Sequence, residues 1–152
     1  MLLHQRRDAV VQAVENRIAR LTRLPMSHQE PFLMIKYLPG GINKQHHDPL
    51  AVTVVIHLQD PEEGNLIGGE THFPTAVPID EAGNPLPGDE HMCDCAGEKK
   101  PGVSVPTKKG TAVMFYSMHP NGLADMKALH GGCVVKRGEK WTAIKWLKST
   151  VA

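Results

Sequence analysis

With 152 residues, 41% of them hydrophobic, the chain has the length of one domain, spanning 1–152, and enough apolar content to bury a core. Its 17 Lys and Arg against 16 Asp and Glu leave a net charge of +1, and the basic residues are dispersed apart from short pairs such as Lys99-Lys100 and Lys108-Lys109, which argues against a nucleic-acid-binding stripe. No apolar run approaches the roughly 20 residues that span a bilayer, and charge enters between Met1 and Arg7 before any hydrophobic stretch, unlike a signal peptide.

Between Asp8 and Leu24, the residues Val10, Val14, Ile18 and Leu21 recur at helical spacing, while Gln12, Glu15, Asn16, Arg20 and Arg23 fall on the other side. This predicts a surface helix covering one face of a sheet, closed by Pro25. From Pro31 the period changes to short β-rich runs: Phe32 to Leu38, Ala51 to Leu58, Glu70 to Phe73, Val103 to Pro106, Thr111 to Ser117, Leu129 to Val135 and Lys140 to Leu147. Such strands without intervening helices predict a mainly β sandwich or barrel. Pro74 to Gly102 is rich in proline and lacks periodicity, which predicts a long loop between strands.

His46 and Asp48 are two residues apart, so in extended chain both point to one face while His47 points away. Two imidazoles and one carboxylate on one side of an ion form the facial triad of non-heme Fe(II) oxygenases, and the third ligand must come from elsewhere in the chain. By itself a His-x-Asp pair is common.

The surrounding segments are more specific. Tyr37-Leu38-Pro39-Gly40 precedes the pair; Gly68-Gly69-Glu70-Thr71-His72-Phe73-Pro74 follows it; and His130-Gly131-Gly132-Cys133 leads through Lys140-Trp141 to Ile144-Lys145-Trp146. In order and approximate spacing these segments resemble the prolyl 4-hydroxylases, most closely the plant and algal type, from Val14 to Leu147. The resemblance implies a double-stranded β-helix (jelly-roll) barrel with a supporting N-terminal helix. It also implies iron ligation by His46, Asp48 and His130, with Lys140 holding the distal carboxylate of 2-oxoglutarate beside a hydroxyl from Thr71 or Thr142. The implied reaction is C4 hydroxylation of peptidyl proline with Fe(II), 2-oxoglutarate, O2 and L-ascorbate, the 2-oxoglutarate being decarboxylated to succinate and CO2.

Further roles follow from the same resemblance. Tyr37 and Trp146 would line the active-site mouth, where an aromatic wall suits a proline-rich peptide in polyproline II conformation. Asn43 stands where the family usually has a tyrosine, a departure that touches substrate binding, and His57 replaces a tyrosine expected near the cosubstrate carboxylate. The segment Pro61 to Ile67 is longer than expected before the double glycine. Family members usually carry an anchor or signal and additional N-terminal strands, so a catalytic core of a longer protein, in the endoplasmic reticulum, is expected. If His130 and Lys140 both serve the site they must face inward, and a three-residue loop Lys136-Arg137-Gly138 pairing Val134 with Lys140 would place Lys140, Thr142, Ile144 and Trp146 inside.

Similar cysteines in the family favour a Cys95 to Cys133 disulfide. His91, Cys93 and Cys95 match no common zinc spacing, and His4, His28, His72 and His119 are expected to be surface or hydrogen-bonded groups. Two other readings stand beside the proline hydroxylase: a related oxygenase acting on another peptide or a small molecule, and a catalytically silent peptide-binding barrel.

Overall fold

The structure, a computed structural model, describes residues 1–5, 7–59, 65–86 and 92–149. Helix α1 spans Ala9–Thr22; the Asp8 carboxylate accepts hydrogen bonds from the Val10 and Val11 amides at its start. Arg23, in the left-handed region at φ 57°, ends it before Pro25 is reached. The buried face is rotated from the one the spacing predicts. Val11, Val14 and Ile18 pack on the sheet, whereas Val10 and Leu21 are exposed. Glu15, expected on the polar side, is completely buried. Valines at 10, 11 and 14 make two overlapping apolar stripes, and the choice between them is made by a cation beneath the helix.

That cation lies on the last strand. The strands are β1 Leu2–Leu3, β2 Phe32–Tyr37, β3 Asn43–His46, β4 Val52–His57, β5 Ile67–Gly68, β6 Thr71–Phe73, β7 Met92–Cys95, β8 Glu98–Pro101, β9 Val103–Val105, β10 Ala112–Tyr116, β11 His130–Gly132, β12 Val135–Arg137 and β13 Lys140–Leu147. One antiparallel sheet has the order β1-β2-β13-β4-β10 and a second the order β3-β11-β6-β9; both line one cavity, as in a jelly roll. β13 is central in the larger sheet. Its outward residues Ala143 and Leu147 join Ile18, Phe32, Val52 and Val54 in the core under α1. Lys145, also outward, donates to Glu15 Oε1 at 2.7 Å with its ammonium over the Phe32 ring, and both side chains of the pair are fully buried.

The inward set of β13 is the expected one, but the hairpin invoked for it does not form. β12 pairs with β5, while β13 pairs with β2 and β4. Gly138, at φ 79°, turns the chain from one sheet to another instead of closing a ladder. The Pro74 to Gly102 stretch is also more ordered than a loop, since β7 and β8 pair within it. A disulfide joins Cys95 to Cys133, as the resemblance implied. Pro61 to Gly64, within the lengthened segment, and His91 lie outside the described residues.

Removing one member of a buried ion pair leaves an uncompensated charge. Lys145→Met alone is therefore expected to lower the unfolding free energy by about 3–5 kcal/mol, while the Glu15→Leu, Lys145→Met double variant recovers most of the loss. Urea denaturation of the three proteins checks this.

Candidate metal centre and cavity

Strand pairing assembles the metal-binding cluster. His130 opens β11 and sits directly across from His46 at the end of β3, while Asp48 follows two residues later. The strands can approach this closely because residue 131 is glycine: a Cβ there would lie 2.8 Å from the Asn43 carbonyl oxygen. One donor atom from each of His46, Asp48 and His130 lies within 4.8 Å of the others. His46 Nε2 is 3.6 Å from Asp48 Oδ1, and His130 Nε2 is 3.6 Å from Asp48 Oδ2. No other such group of His, Cys, Asp or Glu occurs among the described residues.

The protonation pattern suits a cation. Each histidine turns Nδ1 to a backbone carbonyl two residues earlier, His46 to Lys44 at 2.7 Å and His130 to Ala128 at 3.0 Å. A carbonyl can only accept, so Nδ1 carries a proton and Nε2 is the nitrogen turned toward the cluster for ligation. Burial holds His130 below the usual histidine range, despite the opposing Ala128 carbonyl and Asp48 carboxylate, which favours the neutral ligand form. Asp48 is oriented by the Thr53 hydroxyl, which donates to Oδ2 at 2.6 Å. Phe73 and Phe115 pack around the His130 ring. His46 is 37% exposed, against 6% for His130 and 4% for Asp48, so the cluster opens on the His46 side. Two imidazoles and one carboxylate fit Fe(II), and these three residues are the ones that would hold it.

Away from the metal cluster the same cavity carries a cation. Lys140 is buried and its Nζ donates to the Gly69 carbonyl at 2.6 Å, with the Tyr37 ring 5.3 Å away. Burial brings its pKa down to about 8 against the pull of Glu70. The neighbouring Thr142 hydroxyl is buried without a partner, and Thr71 lines the same wall. An unpaired buried hydroxyl beside a buried ammonium fits a carboxylate, and the residues therefore suit 2-oxoglutarate. Tyr37, whose phenol burial raises, Asn43 and Trp146 also line the cavity, the Trp146 indole N–H buried and unpartnered. His57 is buried on the same strand face as Thr53 and Val55.

Every expected site residue except His57 thus lines one cavity, and His57 is buried on the same side of β4. Thr53, the two phenylalanines and the carbonyls of Lys44 and Ala128 were not singled out by the sequence, although the parity of β4 puts Thr53 on the inward face. His47 stays out of the cluster. His72 bonds Ser104, His28 contacts the Lys148 carbonyl and His119 lies 3.8 Å from Asp125. Cys95 is committed to its disulfide, which removes it as a zinc thiolate.

A profile of the 2OG-Fe(II) oxygenase superfamily matches residues 32–148. Prolyl 4-hydroxylase 1 of Arabidopsis thaliana is 36% identical over 156 residues, covering 95% of this chain and 50% of that protein. Prolyl 4-hydroxylase 13 of the same plant is 36% identical over 162 residues, covering 96% and 54%. The chain spans about half the length of the curated relatives it matches. Among solved structures, the viral collagen prolyl hydroxylase of Paramecium Bursaria Chlorella virus-1, as a 2OG complex, superposes with a TM-score of 0.68 at 23% identity, covering 99% of this chain and 78% of that one. A prolyl-4-hydroxylase from Pseudomonas putida gives a TM-score of 0.59 at 16% identity, covering 99% and 71%. These structural likenesses establish the jelly-roll fold.

Loss of the hydroxyl that orients Asp48 should weaken the metal site without dismantling it. Thr53→Val is expected to reduce Fe(II) affinity by about 10–100-fold, measured by anaerobic equilibrium dialysis against the unaltered protein.

Proposed function

The chain belongs to the 2OG-Fe(II) oxygenase superfamily, with Fe(II), 2-oxoglutarate and dioxygen as cofactor and cosubstrates, and we propose that its reaction is C4 hydroxylation of proline in a peptide. The observation that carries this is one cavity that holds a two-histidine, one-carboxylate cluster and a buried lysine. The named prolyl 4-hydroxylases that match nearly the whole chain support the choice of substrate. In this reading His46, Asp48 and His130 hold iron, Lys140 with Thr71 and Thr142 receives the far carboxylate of 2-oxoglutarate, and Tyr37 lies against Lys140. Bound iron with 2-oxoglutarate and O2 supplies the oxidising power that replaces a C–H bond by C–OH, while 2-oxoglutarate becomes succinate and CO2.

The chain's own contribution is placement and exclusion of water. Val55 and Ile144 give the cavity apolar wall, and Trp146 stands next to Thr53 in the strand register, close to the metal ligands. Asn43 and the Trp146 indole N–H offer hydrogen bonds to a peptide backbone, and a polyproline II segment would lose little entropy on docking there. L-Ascorbate is assigned as the reductant that keeps iron in the ferrous state. The Cys95–Cys133 disulfide favours an oxidising compartment, in keeping with the endoplasmic reticulum. Asn43 and His57 motivate a second reading, the same oxygenase chemistry on another peptide or small molecule.

The test incubates the Fe(II)-loaded protein with 2-oxoglutarate, O2, ascorbate and a proline-rich peptide, and reads succinate together with the gain of one oxygen mass on proline. Hydroxyproline that is lost in His130→Ala supports the proposal; succinate without peptide oxidation selects the second reading. The lysine adds a pH signature. Its protonated form binds the carboxylate, so 2-oxoglutarate affinity is full below pH 8 and falls as pH rises through about 8, by up to roughly tenfold per unit. The KM for 2-oxoglutarate measured between about pH 7 and 9 should follow this course, and Lys140→Arg, which stays charged, should flatten it.

A further inference from the structure

The Cys95–Cys133 disulfide ties the β7–β8 hairpin to the chain just past β11, the strand that begins with His130. Each cysteine is only 5% exposed, yet both form part of the wall of a second cavity of about 130 Å³. Gln45 and His72 in its lining alternate along their strands with His46 and Thr71 of the first cavity, so the two cavities lie on opposite sides of the smaller sheet. Lys44, Gln45 and Glu98 at its rim are exposed, which opens it to solvent. A bond placed this way is closed to a protein surface and open to a small molecule.

The lining says which small molecule. Lys44 and Lys100 face one carboxylate, Glu98, which lies 3.4 Å from the Lys100 ammonium. A third ammonium, that of Lys136, stands over the hairpin turn at Gly97, next to Ala96 and Cys95. Burial first and the Lys100 charge second hold the His72 imidazole below the usual histidine range, against the Val103 backbone, so the cation count of this wall rests on the lysines. Cations in excess beside a disulfide draw in anions and stabilise the negative charge that three sulfurs share during exchange.

The disulfide also carries load toward the first cavity. Ala96, held by its neighbour Cys95, donates its amide to the Glu70 carboxylate at 2.9 Å, and the Cys133 amide donates to the Glu70 carbonyl. Val134, next to Cys133, accepts from the Gly69 amide, and the Gly69 carbonyl in turn accepts from Lys140. Both ends of the disulfide thus brace the segment on which Lys140 rests.

We propose that this disulfide is a modification site for a small thiol bearing a carboxylate, admitted through the second cavity, and that exchange there weakens the binding of 2-oxoglutarate, the latter half resting on the cosubstrate assignment above. The incoming thiolate forms a bond to one of the two Sγ atoms while the Sγ–Sγ bond breaks. Its electron pair leaves on the other sulfur, which takes a proton from water. The entering thiol is oxidised and one cysteine is reduced, so no further oxidant or reductant is needed.

The experiment treats the iron-free protein with 3-mercaptopropionate, 2-mercaptoethanol and cysteamine at equal thiolate concentrations, quenches with acid, and reads by mass the added thiol or two added hydrogens on the peptides carrying Cys95 and Cys133. The anionic thiol is expected to react about tenfold faster than the cationic one, and the Lys44→Gln, Lys100→Gln double variant to lose most of that preference. Equal rates for the three thiols, a preference unchanged in the double variant, or no exchange short of denaturant overturns the site. The exchanged protein is then loaded anaerobically with Fe(II), and 2-oxoglutarate binding is expected to be weaker by about tenfold while Fe(II) affinity is kept. Unchanged 2-oxoglutarate affinity, or equal loss of both affinities, overturns the coupling alone. No 2-oxoglutarate binding by the untreated protein overturns the cosubstrate assignment and the coupling together, with the exchange rates still deciding the site.

Discussion

Two buried lysines on one strand hold this structure in register. Lys140 and Lys145 are five residues apart on β13, so they face opposite sides of the sheet, one into the cavity and one toward the helix. A slip of one residue would exchange the two faces, turning Lys145 into the cavity and away from Glu15 while carrying Lys140 away from Gly69. The ion pair between sheet and helix is therefore more than a stabilising contact. It selects which side of α1 is buried, and it makes any pairing of β13 that would empty the active cavity unfavourable. The carboxylate also decides between the competing valine stripes, since a buried ammonium without its anion costs more than the exposure of Val10 and Leu21.

The metal end is organised by strand pairing. Neither histidine uses a carboxylate to fix its ring; both use the backbone of their own strand or of the turn before it, so the tautomer follows directly from the fold. Asp48 lies just beyond the end of β3 and borrows its orientation from Thr53 on the opposite sheet. The triad therefore depends on both sheets, two ligands rigid through pairing and one held across the cavity by a hydroxyl. Glycine at 131 is part of the same requirement, because a side chain there would push β11 away from β3 and separate the two imidazoles.

Much of this was legible in the sequence. β2, β4, β10 and β13 stand out because each is rich in β-branched, aromatic or other apolar residues, and the four inward residues of β13 follow from its period of two. The triad and the lysine were legible through segments that resemble a known family. The short strands β5, β7 and β8 were not, since two to four residues carry no measurable period and are specified by partners distant in the chain. The β12 to β13 turn misled for a related reason: Gly138 marks a reversal, but a local motif does not say whether the chain returns beside itself or passes to another sheet. Glu15 was misplaced because a carboxylate in a helix reads as solvent-facing until its buried partner is known.

The second sheet reaches the lysine end through Glu70. Its backbone carbonyl accepts from the Cys133 amide, its carboxylate accepts from the Ala96 amide at 2.9 Å, and its charge opposes the loss of the Lys140 proton. Ala96 follows Cys95, so the disulfide to Cys133 and the two bonds to Glu70 close one small ring of contacts around this end of the cavity. A carboxylate placed there is rigid, and its influence on Lys140 is correspondingly constant. Rigidity keeps the two ends of the cavity chemically distinct, a cluster of two histidines and a carboxylate at one and a single buried ammonium at the other. Were Glu70 mobile, Lys140 could be neutralised internally and the preference for an anionic ligand would fade. Its carboxylate is tied to the Ala96 amide, so Glu70 spends part of its charge on that bond and compensates Lys140 only in part.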